Sequence, residues 1–110
     1  MMKLAMSTAA AGLLRALLAR AGVERNRILL SEFRSNDWSS LTLQGERHCI
    51  SLRIPAPGAA GIASMLVEGL ADAEFTIPGQ IVADIGLARP LAVQADGAIL
   101  VEIEALTVTE

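Results

Sequence analysis

The chain has 110 residues, 53% apolar and 19% charged, with 12 acidic and 9 basic side chains and a formal net charge of −3. That balance excludes an intrinsically disordered chain and argues against a dedicated nucleic-acid binder, which needs a surplus of Lys and Arg to meet phosphates. One cysteine and one histidine exclude an internal disulfide and any zinc site built from Cys and His alone.

The length suits one α+β domain over residues 1–110. Its apolar content is mostly Ala and Leu, and the aromatics are Phe33, Trp38 and Phe75. Mean hydropathy is +0.49. That is high for a small domain with a wet surface, so the expectation is that surplus apolar residues cover a subunit interface. Charge is uneven: residues 1–55 hold eight basic and four acidic side chains, residues 56–110 only Arg89 against eight acidic ones. The halves are expected to face each other, within a subunit or across a dimer.

Met1-Met2-Lys3 and the apolar run after it resemble the start of a secretory signal, with Ala19-Arg20-Ala21 as a small-x-small site. Against this, Arg15 and Arg20 interrupt the run, and Met6, Ala10, Leu13, Leu14, Leu17, Leu18 and Ala21 share one helical face. The segment therefore reads as a docked amphipathic helix, capped by Ser7 or Thr8 and closed by Gly22. No run of about 18 uninterrupted apolar residues offers a membrane span, and the expected location is cytoplasmic.

After Gly22 the period becomes two. Arg27–Arg34 reads as a strand, Ser35-Asn36-Asp37 as a turn, Trp38–Gln44 as a second strand and Arg47–Ile54 as a third. Gly45-Glu46 suits a two-residue hairpin turn, a register that sets Trp38 opposite Arg53. One face then collects Ser39, Leu41, Leu43, His48, Ile50 and Leu52, the other Trp38, Arg47, Cys49, Ser51 and Arg53. Gly61–Ala73 reads as a second helix with Gly69 on its apolar face, Pro78-Gly79 as a type II turn, and Ile81–Leu87 as a strand with Ile81, Ala83, Ile85 and Leu87 inward. Asp96-Gly97 is a hairpin signal before a last strand, Ile99–Val108. The expected order is αβββαββ, an antiparallel sheet of about five strands with both helices on one face.

Phosphate-loop, nucleophile-elbow and metalloprotease signatures are absent, and no cofactor is implied. His48 and Cys49 are strand neighbours and so point to opposite faces, which rules out a shared proton. His48 reads as a partly buried histidine hydrogen-bonded to a helix terminus or, more sharply, as a general base. Trp38 and Arg53 suggest a cation–π pair or an interface anchor. Asp84, Glu102 and Glu104 are expected to converge on one outer patch, either in a lattice with Arg47 and Arg53 or as oxygen ligands for a hard cation. Two functions follow. One is a non-enzymatic domain that self-associates or docks to a protein partner, as a homodimer with Trp38, Arg53, Glu102 and Glu104 at its interface and the last strand at a sheet edge. The other is a small enzyme or ligand-binding domain whose site joins His48 to Asp84, Glu102 or Glu104.

Overall fold

A computed structural model describes residues 6–110, so the Met1-Met2-Lys3 opening lies outside the described residues. Helix α1 spans Thr8–Ala21, and its ends are built as its sequence implies. Ser7 is the N-cap and its Oγ accepts from the Ala10 N–H at 3.1 Å; Gly22 closes the helix at φ 69°. Leu13 and Leu17 are fully buried. Arg20, at the border of this buried face, donates from Nε to the Leu66 carbonyl at 2.9 Å and from its terminal nitrogen to that of Glu68. The charge that interrupts the apolar run thus satisfies carbonyls at the end of the other helix. Among the described residues no helix is long and apolar enough to cross a membrane.

The segment expected to hold two strands is one. Strand β1 runs over Leu29–Ser39 and pairs antiparallel with β2, Gln44–Ile54. Ser35-Asn36-Asp37 continues the strand, and the chain reverses instead through Ser40–Leu43. There the Ser40 N–H reaches the Leu43 carbonyl at 2.9 Å and Ser40 Oγ accepts from the Leu43 N–H at 3.3 Å. Leu41 is fully exposed at this tip and Leu43 is 47% exposed, so neither joins the core. Gly45-Glu46 lies inside β2. Gly45 is needed there for space, because a Cβ would stand 1.9 Å from the Thr107 carbonyl oxygen on the next strand.

Helix α2, Ala59–Val67, is shorter than expected: Glu68 is extended and Gly69, at φ 68°, opens a single 3₁₀ turn over Leu70–Asp72. Gly69 is exposed rather than packed on the sheet. Strand β3, Gln80–Leu87, follows the Pro78-Gly79 turn, which is closed by the Gln80 N–H on the Ile77 carbonyl at 3.0 Å. A two-residue strand β4, Ala92–Val93, folds back through Asp96-Gly97 onto β5, Ile99–Thr109. The order is αββαβββ, an α+β fold with a five-stranded antiparallel sheet.

The strand order is β1-β2-β5-β3, with β4 also on β5. The last strand, expected at an edge, is therefore central; the edges are β1 and β3. One face buries Ile50, Leu52 and Ile54 of β2 and Val101, Ile103 and Ala105 of β5 in a single cluster with Leu13, Leu17, Ile62 and Leu66 of both helices. Both helices thus cover the same face, and hydrophobic burial there holds the layers together. In β3 a bulge between Val82 and Asp84 breaks the expected alternation: Ile85 is buried, Val82 packs against the core, and Ile81, Ala83 and Leu87 are exposed.

Candidate functional site

His48 lies on the covered face and is 1% exposed. Ser35 Oγ of β1 is 2.8 Å from Nδ1 and Thr107 Oγ1 of β5 is 2.8 Å from Nε2, so neighbouring strands satisfy both ring nitrogens. A hydroxyl can give or accept, and either tautomer is accommodated. Burial lowers the imidazole pKa from its ordinary 6.5, while the nearby Glu46 charge raises it less. Glu46 accepts from Ser7 Oγ at 2.8 Å, which ties the start of α1 to β2 and sets a carboxylate beside a helix N-terminus. The expected helix-terminus partner for His48 is thus replaced by two strand hydroxyls. Thr107 was legible as an inward position of β5; Ser35 was hidden by the turn expected at 35–37.

Asp84, Glu102 and Glu104 sit on the other face. In register, Glu102 is opposite Ser51, Glu104 opposite Cys49, and Asp84 opposite Leu106. Cys49 and Ser51 alternate with the buried His48, Ile50 and Leu52, so all three carboxylates point away from the helices. The sheet therefore separates His48 from the carboxylates, and no acid–base site joins them. Among the described residues no three His, Cys, Asp or Glu side chains gather closely enough to hold a metal ion. The expected lattice with Arg47 and Arg53 is also replaced. Arg53 pairs with Asp96 and donates to Gln94 Oε1 at 3.1 Å; Glu102 pairs with Arg89 at 3.3 Å; and Glu32 lies 3.9 Å from Arg34. The Ala98 N–H, followed by the Arg53 charge, holds the Asp96 carboxyl below its usual range. Arg89 and Asp96 were missed because their partners depend on how β4 and the end of β3 fold back over β5.

Trp38 is opposite Gly45, and Arg53 is opposite Leu29 at the far end of the hairpin, so the expected cation–π pair does not form. All four expected interface residues nonetheless lie on the uncovered face. Its rows run across β1, β2, β5 and β3: Trp38, Gly45, Val108 and Ile81; then Asn36, Arg47, Leu106 and Asp84; then Arg34, Cys49, Glu104 and Gly86. A shallow depression of about 340 Å³ includes Arg34, Cys49, Ser51, Arg89, Glu102 and Glu104. Ile81 is 52% exposed and Leu29 47%. The face is mixed: apolar at the Trp38 end, basic on β2 and acidic on β5 and β3. Among the described residues Arg47, Asp84 and Glu104 make no ion pair within the chain. Compared with known proteins, the chain matches no family model, no curated protein and no solved structure.

Proposed function

We propose that this chain is a non-enzymatic interaction module that works by presenting the bare face of its sheet to a protein surface. The observation that carries this reading is the one-sided sheet: both helices lie on one face, while the other displays Trp38, Leu106 and Ile81 among charges of both signs. An antiparallel sheet with one solvated face usually shows polar residues there; large apolar side chains among them mark an interaction surface. Among the described residues, the one titratable group with a strongly buried setting, His48, has its ring nitrogens engaged by Ser35 and Thr107, in keeping with a structural role. The reading includes a cytoplasmic location, in keeping with a lone thiol that forms no disulfide.

Cys49 reports on this face, because it lies half-buried in the middle of it. A maleimide should label Cys49 in the purified folded monomer and label it at least about tenfold more slowly in intact cells that make the protein, where the face is covered. Equal rates in both settings overturn the reading.

A further inference from the structure

The bare face has a charge pattern that selects its own occupant. By strand, its outward charged residues are Glu32 and Arg34 on β1, Arg47 and Arg53 on β2, Glu102 and Glu104 on β5, and Asp84 on β3, so a net basic side lies next to an acidic side across the sheet midline. We infer that the surface this face binds is the same face of a second copy, related by a two-fold axis that runs parallel to the strands between β2 and β5. This deepens the docking reading above and rests on it.

The argument is geometric. Two sheets stacked face to face about an in-plane two-fold have their strands roughly aligned, about 10 Å apart. An axis across the strands sets β2 over β2 and β5 over β5, which opposes Arg to Arg and Glu to Glu. An axis along the strands keeps each row at its own height and exchanges left for right. β2 then lies over β5 of the second copy, and β1 over its β3.

Residue sizes fit the second arrangement row by row. Trp38 meets Ile81 of the second copy, while Gly45, the one position in β2 with no side chain, lies over Val108, which is already buried within its own chain. Arg34 meets Gly86, and Asn36 meets Asp84. Arg47 lies over Leu106, with Asp84 one strand away and Glu104 one row away; these three are the charges of this face that make no ion pair within the described residues of one chain. In this arrangement no like charges stand directly opposed, as an isologous interface requires. The area is adequate as well. Four strands about 4.8 Å apart and about 30 Å long make a face whose two copies bury on the order of 1,200 Å², the lower end of standard-size interfaces.

The test uses the full chain. At ~100 μM, a concentration that populates specific complexes of ordinary affinity, sedimentation should show a dimer. Arg47→Glu should raise the dissociation constant about tenfold or more, and Arg47→Glu combined with Glu104→Arg should restore it to within about threefold. Far-UV circular dichroism and urea unfolding of each variant confirm that the monomer still folds. Geometry is read by crosslinking in a Cys49→Ser background. With a bismaleimide of about 10 Å, Asn36→Cys chains should crosslink to Asp84→Cys chains, and neither variant to itself. A monomer at that concentration overturns the inference, and the docking reading is then decided separately by Cys49 protection in cells. A dimer indifferent to Arg47→Glu, or one in which Asn36→Cys crosslinks to itself, overturns it too.

Discussion

Replacing Gly45 by alanine separates two roles that a glycine can play. In a hairpin turn, alanine is a modest perturbation of a mobile tip. In the observed fold Gly45 sits inside β2, and the added Cβ would lie 1.9 Å from the Thr107 carbonyl oxygen, 2.9 Å from its carbon and 3.0 Å from Val108 Cα. An ordinary carbon–oxygen approach is about 3.3–3.6 Å, so β2 and β5 must part by more than about 1 Å. These are backbone atoms, and no rotamer change relieves them. The separation weakens one or two ladder bonds at about 1 kcal/mol each and adds overpacking strain of about 1–3 kcal/mol. Restricting the unfolded chain offsets about 0.4–1 kcal/mol. The expected net loss is about 2–4 kcal/mol, a fall in Tm of roughly 10 °C or more for a domain of this size. Gly61→Ala is the control of opposite sign: Gly61 is in α2 with nothing within 4 Å of its added Cβ, so alanine should stabilise by about 0.5–1 kcal/mol. Urea unfolding at matched protein concentration measures both, since a dimer makes stability concentration-dependent. A Gly45→Ala protein with the wild-type midpoint would refute the assigned pairing of β2 with β5.

Acid should destabilise the fold through His48. Its folded pKa lies below the ordinary 6.5, so as the pH falls through 6.5 the unfolded imidazole binds a proton first. Stability is therefore full above about pH 6.5 and declines as the pH falls below it; His48→Gln should flatten this slope, and an unchanged slope would disprove the assignment. Ser7→Ala removes the α1 cap and the bond to Glu46, and should cost about 1 kcal/mol in chemical unfolding, with Ser7→Gly losing less. Leu17→Ala, at a site with no exposure between α1 and the sheet, should cost about 2–5 kcal/mol and lower Tm accordingly; a loss under 1 kcal/mol would show that α1 is not docked there.

Much of the fold was legible because its signals are local. Ser7 and Gly22 bound α1 through φ and hydrogen-bond demands met within a few residues. Pro78-Gly79 and Asp96-Gly97 turn the chain where only Gly79 and Gly97 supply a positive φ, 75° and 85°. The alternation of Ile99, Val101, Ile103 and Ala105 sorts β5 into two faces whatever its neighbours are, since the side-chain period of a strand is two. Residues 48–53 of β2 divided correctly for the same reason, which is why Arg53, Glu102 and Glu104 were placed on the outer face despite a wrong hairpin.

What the tertiary structure alone decided are the relations between strands. Gly45 is compatible with a tight turn and with a close backbone approach, and only the position of Thr107 selects the second. The bulges near Ser31 and Ala83 change which residues face inward, yet they arise from pairing with β2 and β5 and leave no local mark. Whether β5 is an edge or a centre depends on where β3 returns after α2, a long-range choice that alternation cannot express. Local backbone chemistry and side-chain period thus determined the elements and most of their faces. Their order, register and partners were fixed by packing between segments distant in the chain, where each strand's neighbour decides what its residues do.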